Sequence, residues 1–400
     1  MKIGILTYHW VYNFGANLQV LSTIGYFRKH GYDPVVINWV PADTKAHYDR
    51  VTSLEMINKF QEFQKENYPL TSLCNNAKDV AEVIKHEKIE MVFIGADTLF
   101  MLRKPHFSLR TFKTYYPKSD TIFPNPFWGE FLNYVDVPVV GYSIATLSTN
   151  PLDFSNIKEE ASRYLKRFNK LTVRDAHTQH LVSSFTDGLL IPEITPDPVF
   201  GFNDNVDISV LEPEIKQKFN LPDSYYLLCM PEPHNKKLQK WAKHLSDIMA
   251  KSGSVLYELP RQNGNKCFDI AQLNHQRLSP LEWYVIIKNS KGYIGGLMHP
   301  LVICIHNKVP FYCIDYYGNY KTVFNIPIRG TVDKETSKSF QIVKECKLLK
   351  YYHNIREHFA TIPSPDEVFS MLKDYDYSTL NKDSEFKRNY YFKTIGEIFN

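Results

Sequence analysis

The run KIGILTYHWVYNFGANLQVLSTIGYFRKHGYDPVVINW, residues 2–39, decides the fold class. Residues 2–8 form an apolar stretch long enough for a buried strand. Residues 16–30 then carry Leu18, Leu21, Ile24 and Phe27 at helical spacing and stop at Gly31, a natural helix C-cap. Residues 35–39 supply the next strand. A strand, a helix and a strand in this order open a parallel, doubly wound sheet. The loop at residues 9–15 then lies at the carboxyl edge of the first strand, where open α/β sheets bind ligands.

The same grammar continues along the chain. Residues 54–66 and 77–86 predict helices, 90–94 a strand ending at Gly95-Ala96-Asp97, and 137–143 another strand. Residues 98–136 are aromatic and Pro-rich with weak periodicity, which predicts a long insertion able to cover a pocket. Helices at 157–168 and 176–185 flank a short strand at 171–173. Residues 189–194 predict a strand running into Pro196-Asp197-Pro198, and the polar stretch 201–223 reads as a linker. In the second half, strands at 225–230, 255–259, 292–294 and 309–313 alternate with helices at 236–251, 281–289 and from His299. The expected fold is α/β: two Rossmann-like domains facing a cleft, a GT-B-like arrangement. They span residues 1–205, with the insertion at about 98–136, and 206–375; a mostly helical C-terminal tail follows at 376–400.

Composition narrows the function. Over 400 residues the formal charge is +4, with no dense Lys/Arg block, so nucleic acid is not an expected partner. No 18-residue apolar window exists to span a membrane. The first apolar run is too short for a signal-peptide core, and the chain is expected to be soluble and cytoplasmic. The six cysteines are scattered without a Cys-x-x-Cys pair, which reads as reduced thiols rather than a disulfide framework or zinc site.

The chemistry-bearing candidates fall on turns that follow strands. In KGYIGGLMHPLVICIHNKVP, residues 291–310, an apolar run stops at two glycines and His299 opens a helix. A helix start offers free backbone N–H groups and partial positive charge to an anion. Arg174-Asp175 occupies another strand-to-helix turn, where a guanidinium can clamp a carboxylate or phosphate; pairing with its neighbouring helix is the equal alternative. Asp97 suits a sugar hydroxyl or simply caps a turn. Asn13 faces the same choice between ligand contact and helix capping. Arg261, in the run at residues 260–265, and the loop at 230–235 follow strands in the second half. The first loop lacks Gly-x-Gly-x-x-Gly, so dinucleotide binding is not expected, and His299 has no second metal ligand at i+4.

Taken in chain order, these pieces resemble the polysaccharide pyruvyl transferase family over residues 1 to about 315. The resemblance runs through Asn13-Phe14-Gly15-Ala16 with Leu18 and Gln19, and through Gly95-Ala96-Asp97 in place of a Gly-Ser-Asp turn. It continues at residues 142–146, at Val173-Arg174-Asp175, at Asp197-Pro198, at Ser279-Pro280-Leu281-Glu282-Trp283 and at the His299 turn. Many relatives carry Arg-Leu-His or Ser-Phe-His where this chain has Leu297-Met298-His299.

The resemblance implies transfer of the pyruvyl group of phosphoenolpyruvate to two hydroxyls of a sugar in a polysaccharide precursor, forming a cyclic ketal and releasing phosphate. It implies His299 as general acid and Asp97 as the group that orients or deprotonates a hydroxyl. Arg174, Asn13, Gly15 and Arg261 would bind the donor; Tyr142, Ser143 and His9 would bind the acceptor. The first domain would be the acceptor side and the second the donor side. Phosphoenolpyruvate is a co-substrate, and no cofactor or metal is implied. The acceptor would be a sugar that is free, polyprenol-linked or nucleotide-linked, and a polyprenol would bring the chain to the inner face of the plasma membrane. Two rivals stay open: a GT-B-like glycosyltransferase with a nucleotide-sugar donor, and a non-catalytic sugar-binding relative, motivated by Leu297 and Ala96.

Overall fold

The computed structural model describes residues 1–108, 111–147, 149–230, 235–261, 268–273, 277–317, 319–323, 326–334, 337–356 and 362–399. Its contacts divide the chain into two compact units, Met1–Val206 with Tyr390–Asn400, and Asp207–Asn389.

The first unit begins with β1 (Lys2–Leu6), α1 (Phe14–Lys29) and β2 (Asp33–Val36), followed by α2 (Ala42–Val51), α3 (Leu54–Asn67), α4 (Ala77–His86) and β3 (Met91–Asp97). A hairpin, β4 (His106–Ser108) and β5 (Lys113–Tyr115), leads to β6 (Val139–Ile144), α5 (Lys158–Leu165), β7 (Lys170–Val173), α6 (Ala176–Phe185), β8 (Glu193–Ile194) and α7 (Phe202–Asn205). The sheet runs β2-β1-β3-β6-β7-β8, all parallel. Apart from Met91, the apolar side chains of β1, β3 and β6 are buried, as expected of strands covered on both faces. Helix starts follow side-chain chemistry: Asn13, Ser53, Asn76 and Asp175 each accept a hydrogen bond from a first-turn amide, a contact worth about 1 kcal/mol.

The second unit contains α8 (Leu211–Lys218), β9 (Tyr225–Cys229), α9 (Lys236–Lys251), β10 (Val255–Glu258), β11 (Ala271–Gln272), α10 (Pro280–Lys288), β12 (Gly292–Gly295), α11 (Met298–His306) and β13 (Phe311–Asp315). A second hairpin, β14 (Asn319–Val323) and β15 (Ile326–Asp333), precedes α12 (Lys338–Glu345), β16 (Tyr352–Asn354) and α13 (Pro365–Lys373). Its parallel sheet runs β11-β10-β9-β12-β13-β16. Renumbered in chain order, this is the doubly wound 3-2-1-4-5-6 arrangement. Ser279 and Glu282 form a reciprocal capping box that starts α10.

Three sequence expectations change. The stretch 201–223 is not a bare linker: it holds α7 and α8, and the boundary between the units falls between them. Only Glu193–Ile194 of the predicted strand at 189–194 joins the sheet, while Leu189 and Ile191 are exposed. The insertion is half core, because Phe127, Trp128 and Phe131 are fully buried among the first unit's apolar residues. The C-terminal residues are helical, as expected. They continue a single helix, α14 (Tyr377–Gly396), which ends in the first unit, where Tyr391 is fully buried and Thr394 Oγ1 meets the Tyr142 hydroxyl at 2.9 Å.

Candidate functional sites at the two sheet edges

In each sheet the strand order reverses once, between β1 and β3 in the first unit and between β9 and β12 in the second. Ligands of open α/β sheets bind outside the strand carboxyl ends at this reversal. Asp97 and His299 lie at these two edges, Asp97 as the last residue of β3 and His299 as the second residue of α11, four residues past the end of β12.

A shared local device makes both edges. Gly95 has φ +156°, and a Cβ there would lie 2.1 Å from the Tyr142 carbonyl oxygen; Gly295 has φ +157°, and its Cβ would lie 2.2 Å from the Cys229 carbonyl oxygen. Only glycine lets the two strands approach this closely. The first edge also carries three non-glycine residues at positive φ: Asp97 (118°), Ser143 (50°) and Leu147 (55°). Such backbone costs on the order of 1–3 kcal/mol per residue and persists where surrounding bonds enforce it. Here Ala145 N donates to the Asp97 carbonyl at 2.8 Å, Ser143 N to Thr172 Oγ1 at 3.0 Å, and Arg174 N to the Ile144 carbonyl at 2.9 Å.

The first edge centres on one cation between two carboxylates. Arg174 Nη1 lies 3.2 Å from Asp197 Oδ2, and Nη2 lies 3.8 Å from Asp97 Oδ1. The Arg174 side chain is 9% exposed, Asp97 15% and Asp197 3%, so this array is largely out of water. Asp197 also accepts from Gln19 Nε2 and from Val199 N at 3.0 Å. Arg174 Nη2 is buried without a hydrogen-bond partner among the described residues. Asp197 and Gln19 are the members that sequence reading did not assign to the site. The Asp-Pro pair and the Leu-Gln after Gly-Ala were visible, but nothing in the spacing joined them.

Beside this array, Thr7 Oγ1 donates to the Ala96 carbonyl at 2.9 Å and ties β1 to β3. Tyr8 and Thr44 both donate to Asp120, each at 2.8 Å. Burial pushes the Asp120 carboxyl above its ordinary range, although those two hydrogen bonds pull it down. Burial, helped by Asp120, raises the Tyr8 phenol well above its usual range.

The remaining candidates of the first unit are mostly committed to structure. Asn13 Oδ1 caps α1 by accepting from Ala16 N at 3.1 Å, and Gly15 is the buried second residue of that helix. Tyr142 is fully buried with its hydroxyl on Thr394, and Ser143 is fully buried with Oγ 3.3 Å from the Thr195 carbonyl. His9 is 2% exposed, with its ring nitrogens 3.1 Å from the Thr7 carbonyl and 3.0 Å from Asn38 Oδ1. Burial holds its imidazole below the usual range. The sequence placed these five in binding roles; the contacts described here are all within the protein.

In the second unit, Leu297 precedes α11 without a side-chain cap, and its amide donates to the Tyr293 hydroxyl at 3.3 Å. The first turn of α11 has no acidic residue, so its amides and dipole present positive potential beside His299. Arg261, past β10, donates through Nη2 to the Met230 carbonyl, and its charge offsets part of the burial that raises the Cys229 thiol. Arg356 stacks over the Tyr316 ring at 5.7 Å, at the end of β13. Residues 231–234 and 262–265 of the two loops singled out from the sequence lie outside the described residues. The structure thus brings Asp97 and Arg174 together in the first unit, and it puts His299 and Arg261 at the carboxyl edge of the second sheet. Among the described residues, no group of three or more His, Cys, Asp or Glu is arranged to hold a metal ion.

Two parallel Rossmann-like units, each with polar residues at its switch point, define a doubly wound α/β protein. A sequence model for polysaccharide pyruvyl transferase matches residues 13–319, and the chain belongs to that family. No curated protein matches the sequence. Among solved structures, it is similar to the UDP-GlcNAc 2-epimerase of Neisseria meningitidis bound to UDP-GlcNAc, at 11% identity and TM-score 0.47, covering 98% of this chain and 100% of that one. The UDP-GlcNAc 2-epimerase of Methanocaldococcus jannaschii is similar at 11% identity and TM-score 0.45, covering 94% and 100%.

Proposed function

We propose that the chain moves the pyruvyl group of phosphoenolpyruvate onto two hydroxyls of a sugar in a polysaccharide precursor, closing a cyclic ketal and releasing phosphate. The observation that carries this reading is the family match, whose span includes Asp97, Arg174, Arg261 and His299.

The reaction asks for an acid at carbon. His299 gives a proton to the methylene carbon of the donor, and positive charge develops at C2. One sugar hydroxyl adds to C2 and loses its proton; the bond from C2 to the phosphate oxygen then breaks, the phosphate keeping the electron pair. The second hydroxyl adds and loses its proton in turn. Of the two hydroxyl protons, one balances the proton given to carbon and the other leaves with phosphate.

The donor's carboxylate and phosphate need cationic partners, which the second unit supplies through Arg261 and the first-turn amides of α11. Arg174 is poorly suited to that task, because it already faces two carboxylates and an anionic donor would make three. In this reading it holds Asp97 in place, and its Nη2, which makes no hydrogen bond among the described residues, takes a neutral sugar hydroxyl. Asp97 orients that hydroxyl. Incubation with phosphoenolpyruvate and a panel of sugar acceptors, with released phosphate measured, tests the proposal. Acceptor-dependent phosphate release supports it; turnover of a nucleotide sugar without phosphate release from phosphoenolpyruvate overturns it.

A further inference from the structure

The β4–β5 hairpin has no evident part in the chemistry, yet it lies in a segment that is basic and free of acidic residues. Between Asp97 and Asp120 the chain carries five Lys or Arg and no Asp or Glu, while the whole chain sums to only +4. The segment alone contributes +5, and the remaining residues sum to −1.

The same segment exposes its aromatics. Phe112 is 78% exposed, Tyr116 74% and Phe107 56%. Both strands are open to solvent on both faces, so the rings do not belong to a core of this unit. In the register Phe107 stands opposite Thr114, and its ring meets Phe112 edge-on at 6.4 Å, grouping the two rings near the tip. The base is fixed: Leu102 N donates to Thr149 Oγ1 at 2.9 Å, Arg103 N to the Thr121 carbonyl at 3.0 Å, and Ser119 N to Asp43 Oδ2 at 2.9 Å. The element is an anchored, solvent-exposed hairpin that carries basic and aromatic side chains.

Exposed rings normally cost free energy in water, and a two-stranded hairpin alone is marginal. Aromatic side chains settle at the headgroup level of a bilayer, and nearby lysines gain from anionic lipid. A nucleic-acid strand would call for a basic groove with stacking walls, and a hairpin exposed on both faces offers none. We propose that this hairpin docks the protein onto an anionic lipid bilayer, Phe112 and Tyr116 entering the interface and Lys113 and Lys118 pairing with headgroups. The proposal does not rest on the reaction assigned above, since vesicle binding is read without turnover.

The test is co-sedimentation of the full chain with vesicles of phosphatidylcholine alone and of phosphatidylcholine containing phosphatidylglycerol. Binding is expected only to the anionic vesicles and weakens as salt rises. Lys113→Gln with Lys118→Gln lowers the affinity by about fivefold per lysine, and Phe112→Ser with Tyr116→Ser lowers it separately. Each pair is exposed, so the urea midpoint stays at the parent value. The proposal is overturned if anionic vesicles are not bound, if neutral vesicles bind equally, or if neither double variant changes binding. It is equally overturned if the variants lose only self-association, soluble glycan or single-stranded nucleic acid.

Discussion

Replacing Arg174 by methionine leaves Asp97 and Asp197 facing each other's charge with no cation between them. Both carboxylates are largely buried, at 15% and 3% exposure. Breaking a buried ion pair from one side typically costs about 3–5 kcal/mol. The lower end applies here, because Asp197 keeps Gln19 Nε2 and Val199 N as donors. We expect a loss of about 3 kcal/mol. With a urea m-value of about 2 kcal/mol/M, that moves the first unit's midpoint down by roughly 1.5 M. Tryptophan fluorescence follows it, since Trp10, Trp39 and Trp128 are all buried in that unit. Adding Asp197→Asn removes one of the stranded charges, so the double variant should be more stable than the sum of the singles by at least about 1 kcal/mol. A midpoint unchanged in Arg174→Met, or single effects that add without coupling, would refute the claim that Arg174 is held by these carboxylates.

Other expectations follow from the same geometry. Gly95→Ala and Gly295→Ala each press a Cβ onto a neighbouring strand's carbonyl, at 2.1 and 2.2 Å; each should cost at least about 2 kcal/mol, and unchanged urea midpoints would contradict the close strand approach. His299→Ala should lower phosphate release by about 10²–10⁴ with little change in melting temperature, and full activity would remove His299 as the acid. The His9 imidazole is held below its ordinary range, so the unfolded chain takes up the proton first. Its stabilising contribution is full above about pH 6.5 and is lost as pH falls from there toward the folded value. His9→Gln should therefore flatten the decline of melting temperature between about pH 6.5 and 5; an unaltered slope counts against burial of a neutral ring.

Much of this architecture was legible because local pattern and tertiary burial agree. The helices at 77–86, 176–185 and 236–251 begin and end where their caps and apolar spacing place them. The strand-turn-helix at His299 was readable for the same reason: an apolar run, two glycines and a helical repeat are adjacent in sequence. α2 was missed because Pro41 gives it no side-chain cap and only Thr44 of its ten residues is buried. The hairpin at 106–115 was missed because exposed strands carry no alternation of apolar and polar residues. The Arg174 array lies beyond sequence reading for another reason. It joins Gln19 to Asp197 across 178 positions, and only the sheet order, with β7 two strands from β3, brings Arg174 back to Asp97. The helix cap at position 13 is a local feature, one bond from Ala16 N to Asn13 Oδ1.

The most direct test of pyruvyl transfer follows the carbon skeleton itself. Purified protein is incubated with phosphoenolpyruvate labelled with ¹³C at all carbons and with a sugar acceptor, and the acceptor is weighed by mass spectrometry. The account predicts an acceptor that carries the full label as a ketal, without phosphorus, with one phosphate released per label gained. An acceptor that stays unlabelled while it gains a sugar from a nucleotide donor would contradict it.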